Sequence, residues 1–362
     1  MIYEIDYFVN FLYDIYRKLT EVIIMFGGNL RYFRLEKNLT KKELAAKAGV
    51  STALITYYES GERKPTIQSV KSLATALSIS PAQLLENRPD IAFSHGAFRK
   101  SSSLSKAGQE KVRSTVEDYF SRFYTVLSFF PKDVLSPSPF TPNRNVKLFD
   151  DVYDAAKRFR KWLDLPSSGP LPNLTNLLEN KGFLLCPITA MEGFSGLNGF
   201  VLDRPYIAYN ADESSERIRF TLIHELVHLY FGIEDEDEVN GIAGEILFSH
   251  EDALRELGPR VKGIAYWMEE VAKEYGISMY SLIYSANQYN IISSSLAKSF
   301  YIMAGQRGWK RNEPSRCEKE TTTLFEQLVY RAVNNDDISI QRGAELLRLS
   351  YREVESRTSA IG

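Results

Sequence analysis

The chain has 362 residues, 44% of them apolar and 25% charged, enough at roughly 150 residues per domain for two or three globular units; a peptide, a collagen and a disordered tail are excluded. Forty-four Lys+Arg against 46 Asp+Glu leave a formal charge of −2, so any nucleic-acid or membrane partner must be read from local charge. Two cysteines, Cys186 and Cys317, are too few for a disulfide framework or a thiolate zinc site and point to a reducing cytoplasm.

No apolar run approaches the roughly 18 residues of a spanning helix, so no membrane partner is expected. In residues 1–24, Ile5, Phe8, Leu12, Ile15, Leu19 and Val22 recur at spacings of three and four, the seam of a short amphipathic helix. Residues 1–25 are therefore read as such a helix or a leader, and pairing through this seam makes a homodimer the expected state.

Residues 26–87 change character. Thr40 is a ready N-cap with Glu43 completing a capping box for a helix over Lys41 to Lys47, Gly49 permits a tight turn, and Ser51 caps a second helix through Tyr58. Two short helices joined this way form the helix-turn-helix that sets its second helix in a major groove. Nine Lys/Arg against five Glu make the stretch positive, which favours phosphate contact.

The run LTKKELAAKAGVSTALITYYESGERKP, followed by IQSVKSLATALSISPAQLL, resembles the phage-repressor-like (XRE) family over about 60 residues. The resemblance implies an all-α, lambda-repressor-like domain with Leu44, Ala45, Val50, Ile55, Leu73, Ala74 and Leu77 in the core. It puts Ser51, Thr52, Ala53, Thr56 and Tyr57 on the recognition helix, and Lys41, Lys42, Arg63 and Lys64 at phosphates of a double-stranded DNA operator. No Arg or Gln stands on that helix to grip a guanine or adenine in bidentate fashion, so the operator sequence is not derivable.

Residues 88–106 are polar, Ser-rich and broken by Pro89 and Gly96, as a linker between domains is; His95 within them reads as a surface or docking residue. A mixed α+β domain follows over 107–257. Its strongest signal is RFTLIHELVHLYFG, in which His224 and His228 lie one helical turn apart and point to one side, where a single divalent ion can be gripped. Glu225 projects beside them as the base for a metal-activated water, the chemistry of a zinc (Zn2+) metallopeptidase. A second acidic helix, EDEDEVNGIAGEILF, offers a third ligand and leaves one coordination position for water. GLNGFVLDRPYIAYN alternates as two strands of a hairpin turning near Asp203 to Pro205. A strand at the edge of such a peptidase's sheet can hold a substrate backbone, which makes Tyr206 and Tyr209 candidate contacts. His250 is equally readable as an oxyanion donor or a helix-end cap, and Arg217 and Arg219 as anchors of the active-site helix to carboxylates.

YIAYNADESSERIRFTLIHELVHLYFG and DEVNGIAGEILF, with the upstream WLDLPSSGPLPNLTNLLENKGFLL, resemble the ImmA/IrrE metallopeptidase family over roughly 150–250. The resemblance implies a zincin-like domain in which His224 and His228 bind zinc, Glu225 is the catalytic base and Glu238 is the third ligand. Val239 and Ser249 stand where the family usually has alanine and proline, which leaves Glu236 and Glu245 as substitutes for Glu238. Residues 258–362 read as a helical region, with a polar excursion around Cys317, a free surface thiol. Its last part, DISIQRGAELLRLSYREVESR, has a helix-turn-helix look and is read as core or an oligomer contact.

The expected architecture is thus multidomain, with an all-α helix-turn-helix domain, an α+β zincin-like metallopeptidase domain and a helical C-terminal region. The expected function is a cytoplasmic transcriptional regulator whose zinc endopeptidase cleaves a repressor protein of the helix-turn-helix type, in trans or in itself. The alternatives are a non-proteolytic, ligand- or metal-sensing transcription factor, and an antitoxin that autoregulates its operon.

Overall fold

The computed structural model describes residues 25–86, 89, 91–96, 98, 104–140, 149–309 and 313–359; the amphipathic seam expected over 1–24, and any dimer built on it, lies outside them. The chain divides into two compact units, one made of the N-terminal residues to Asp90 with Lys106–Ser128, the other of Ile91–Ser105 with Phe129 onward.

In the first unit, α1 (25–36) is followed by α2 (Lys41–Ala48), α3 (Thr52–Glu59), α4 (Ile67–Leu77) and α5 (Pro81–Leu84). Phe26, Leu30, Phe33, Leu44, Ile55, Tyr58, Leu73 and Leu84 are buried in one cluster. A Cβ on Gly27 would lie 2.3 Å from the Tyr58 carbonyl oxygen, so only glycine lets α1 approach α3 this closely. Arg34 clamps Glu59 through two hydrogen bonds of 2.5 and 3.0 Å and donates to the Leu39 carbonyl at 2.9 Å, while the Asn29 amide reaches the Leu84 and Glu86 carbonyls. The long helix α6 (Lys106–Leu127) belongs to this unit, not to the peptidase domain to which the sequence pattern assigned it. It is tied to α1 and the turn after it by Arg31–Glu110 at 3.0 Å and Lys111–Asn38 at 2.7 Å.

The second unit is built on a four-stranded sheet in the order β1-β3-β4-β2. β3 (Gly196–Val201) and β4 (Arg204–Asn210) form the expected hairpin, turning one residue early through Leu202 and Asp203. β2 (Leu184–Ile188) runs parallel to β4. β1 (Phe93–His95) pairs antiparallel with β3; it comes from the stretch read as a linker, whose polar composition gives no sign of a strand because the pairing is supplied by β3.

Around the sheet lie α7 (Val152–Trp162), α8 (Leu174–Asn180), α9 (Ser215–Phe231), α10 (Glu236–Leu247) and α11 (His250–Leu257), then α12 (Trp267–Tyr275), α13 (Met279–Gln288) and α14 (Ser294–Gln306). They share one apolar cluster that includes Phe159, Leu185, Ile207, Leu222, Leu226, Ile242 and Ile283. Arg160, buried on α7, caps the end of α10 through the Ile246 carbonyl at 2.6 and 3.0 Å. The polar excursion is tied down where it passes α8 and α9. Glu216 accepts from the Arg316 N–H at 2.7 Å, Arg219 pairs with Glu320, and Glu320 caps α8 at Leu174 N–H, 2.7 Å. The expectation that Arg219 anchors the active-site helix to a carboxylate is met. Cys317 is only partly exposed, and burial with the nearby Glu216 carboxylate pushes its thiol up to about 11. The chain closes with α15 (Leu324–Asn334), α16 (Ile340–Leu347) and α17 (Tyr351–Thr358) around Val333, Ala344 and Val354.

Candidate metal centre and nucleic-acid interface

The turn between α2 and α3 is written into local chemistry. Thr40 and Glu43 close a reciprocal capping box, Gly49 takes φ 68° at the helix end, and the Ser51 hydroxyl accepts the Leu54 N–H at 3.2 Å. Ile55 and Tyr58 turn into the core, and Thr52, Ala53, Thr56 and Tyr57 remain exposed on the opposite side of α3. Ser51 is exposed too, but its oxygen is spent on the cap. Lys42, Arg63 and Lys64 stand in solvent; Lys41 lies 3.5 Å from Glu59, which Arg34 already holds, so part of its charge is answered within the domain.

In the second unit, α9 starts under a Ser214 cap, ends at Gly232 with φ 71°, and is buried through Leu222, Ile223, Leu226 and Val227. The i,i+4 spacing sets the His224 and His228 Nε2 atoms 3.0 Å apart. His228 Nδ1 lies 2.6 Å from the Ile233 carbonyl oxygen. That carbonyl can only accept, so Nδ1 carries a proton, which leaves Nε2 as the ring atom that can be offered to a metal. The third group is Glu236, whose carboxylate oxygens lie 3.4 Å from His224 Nε2 and 3.8 Å from His228 Nε2. Among the described residues these three side chains are the group whose donor atoms converge closely enough to hold one metal ion.

Glu238 does not join them. Asp235 caps α10, so Glu236 is its first residue and reaches back to the histidines. Glu238, two positions on, is turned by about 200° and is exposed. Glu245 is also committed elsewhere, accepting from the Tyr289 hydroxyl and, at 2.9 Å, from the His250 N–H. His250 stacks on Tyr289 at 4.8 Å beside a cavity of about 690 Å³ whose lining includes none of the three converging side chains. Two imidazoles and one carboxylate, with the tautomer of one ring set by a backbone carbonyl, fit a divalent ion such as zinc.

Glu225 follows His224 on the same turn and is buried. Its Oε2 accepts from the Asn198 side-chain amide on β3 at 2.7 Å, and a Cβ on Gly196 would lie 2.8 Å from its Oε1. Asn198 is the residue that sequence reasoning missed; alternation places it on the same face as Gly196, but nothing local says that α9 crosses there. Tyr206 and Tyr209 are both buried, so they pack within the sheet and do not face a substrate. Tyr206 meets His95 Nδ1 at 2.5 Å, which makes His95 a sheet residue, stacked on Phe93.

Comparison with known proteins matches residues 30–84 to the helix-turn-helix family model and residues 187–287 to that of the IrrE N-terminal-like domain. An uncharacterized HTH-type transcriptional regulator of Sinorhizobium fredii, y4dJ, is 34% identical over 67 residues, which are 18% of this chain and 87% of that protein. Another from Bacillus subtilis, YqaE, is 34% identical over 62 residues, 17% of this chain and 53% of that one. Among solved structures, ComR from Streptococcus suis aligns over 92% of both chains at 14% identity with a TM-score of 0.16. ComR from S. thermophilus in complex with DNA and its signalling peptide ComS aligns over 92% of this chain and 98% of that one, at 11% identity and a TM-score of 0.17; likeness at these scores carries no structural conclusion.

Proposed function

We propose, from the premise that this chain belongs to the HTH-type transcriptional regulators and carries an IrrE N-terminal-like domain, that it binds operator DNA and cleaves a helix-turn-helix repressor with a metal-dependent endopeptidase site. In this reading Thr52, Ala53, Thr56 and Tyr57 meet base edges, while Lys42, Arg63 and Lys64 meet phosphates, with Lys41 a weaker contact because Glu59 competes for it. The observation that carries the peptidase half is the convergence of His224, His228 and Glu236 beside a buried Glu225.

His224, His228 and Glu236 would hold the zinc ion, which when bound lowers the pKa of water toward about 7 and polarises a carbonyl. The chain's own groups do the remainder. The Ile233 carbonyl keeps His228 in the tautomer that ligates. Asn198 holds the Glu225 carboxylate by Oε2, so that it takes a proton from the attacking water and hands it to the leaving amine without turning away. The apolar flanks of α9 keep bulk water from its inner side. Among the described residues no helix is long and apolar enough to cross a membrane.

The test is incubation of the zinc-loaded protein with repressors encoded beside it, followed by mass analysis. One discrete cut, lost on chelation and in Glu225→Gln, is expected; the same cut persisting in Glu225→Gln would overturn the proteolytic reading. His224→Ala should lose stoichiometric zinc by elemental analysis.

A further inference from the structure

β3 is the strand that touches the candidate base, through Gly196 against Glu225 and through the Asn198 amide. Its inner edge pairs with β4; its outer edge carries the ladder groups on which an extended peptide would add as a further strand. That edge is already filled. β1 lies on it antiparallel, Phe93 opposite Val201, Ser94 opposite Phe200 and His95 opposite Gly199. The pairing continues at both ends, with Leu202 N–H donating to the Ala92 carbonyl at 2.9 Å and Gly96 N–H to the Asn198 carbonyl at 2.8 Å. The segment therefore runs toward Glu225, and its last bonded residue stands opposite the side chain that holds the base.

The fit is close because side chains are missing where they would interfere. A Cβ on Gly199 would fall 2.3 Å from the Ser94 carbonyl oxygen, and one on Gly96 would fall 2.7 Å from Asn198 Oδ1. Outside the ladder, His95 adds its contact to the Tyr206 hydroxyl. Alternation of bonded pairs, with Ala92/Leu202 and Gly96/Asn198 both bonded, makes Ser94/Phe200 a bonded pair as well.

We propose that residues 92–96 are a built-in occluding strand: the edge that leads a peptide to Glu225 is held by the chain itself, and a substrate strand pairs with β3 only after this segment has left. The proposal deepens the peptidase reading and rests on it for its meaning, but the occupancy can be measured without any hydrolysis.

Hydrogen exchange of the wild-type protein should find the Phe200 and Leu202 amides protected; exchange at the rate of unstructured amides would overturn the proposal with no variant required. Two substitutions then free the edge independently. Ser94→Pro removes a ladder donor, and Gly96→Val drives a side chain into Asn198. In a Glu225→Gln background, each should expose those amides and bind a fluorescent synthetic peptide of sequence DIAFSHGAF about tenfold or more tighter than the parent, the scale of one or two lost ladder hydrogen bonds. No gain in either variant overturns the occlusion. A gain in peptide binding, with no cleavage of any repressor by the Ser94→Pro variant carrying Glu225, would keep the occlusion and remove the peptidase reading instead; Gly96→Val is read by binding and exchange alone, because it disturbs Asn198.

Discussion

The α2–α3 pair and the α16–α17 pair are the same construction, 299 positions apart. Each first helix has eight residues, ends in a left-handed residue, Gly49 or Arg348, and is followed by one residue and a serine N-cap, Ser51 or Ser350, for a second helix of eight. The matching backbone bonds, Val50 N–H to the Ala45 carbonyl and Leu349 N–H to the Ala344 carbonyl, recur at 3.0 and 3.1 Å. Their surfaces diverge. Residues 25–59 hold six Lys/Arg against three acidic residues, whereas 324–358 hold five against six. Caps and turns build the scaffold, and charge decides how strongly phosphates are drawn to it; the C-terminal pair has the helix-turn-helix shape with a slight acidic excess in place of the basic one.

The comparison breaks most sharply at Glu59. The N-terminal module buries the Arg34–Glu59 pair, and its counterpart has Thr358 in the equivalent place. Glu59→Ala leaves the guanidinium buried without its carboxylate and should cost about 3–5 kcal/mol, read as a lowered unfolding midpoint of the N-terminal unit. Thr358→Ala should leave its own module within about 0.5 kcal/mol of the parent.

The second difference is pH. The start of α15 is held by Glu179, which accepts from the Thr322 hydroxyl and the Thr323 and Leu324 N–H groups. Burial pushes its carboxyl up to about 7, against the opposing pull of those backbone donors. A carboxyl whose folded pKa lies above its unfolded one holds its proton more tightly in the native state. Its contribution is thus complete below the ordinary carboxylate range and is lost as pH rises through about 7. Wild type should lose about 1–3 kcal/mol more than Glu179→Gln between about pH 5 and about pH 8, measured as the difference between their melting curves; identical pH profiles would remove Glu179 as the cause.

The smallest effect tests the electrostatic distinction directly. Lys64→Ala should weaken binding of mixed-sequence double-stranded DNA about fivefold and lower the salt slope by about one. Arg352→Ala, on the second helix of the C-terminal pair, should change neither. Equal losses from the two substitutions would make both modules DNA readers.

What was legible in the sequence is what is local. Thr40 with Glu43, Gly49 and Ser51 announce the first helix-turn-helix because each acts within four residues of itself, and the His224/His228 spacing needs only one helical turn. Glu236, not Glu238, is the carboxylate that meets the two histidines because the choice among three successive acidic positions depends on where Asp235 starts α10, a phase that spacing alone does not set. β1 and Asn198 were invisible for a different reason: a strand of Phe93–His95 exists only because β3 offers an edge, and Asn198 matters only because α9 passes beneath it. The grouping of α6 with the N-terminal unit likewise follows from Arg31–Glu110 and Lys111–Asn38, contacts more than 70 residues apart in sequence.

The short connection from Gly232 to Asp235 sets two angles at once. Its Ile233 carbonyl orients the His228 ring, and its last residue decides which turn of α10 presents a carboxylate. A single alanine inserted there would slide this gauge by one notch, unseating the ring from its backbone prop and rotating the acid by about 100°. The length of that loop is therefore as much a part of the convergence as the three side chains that meet there.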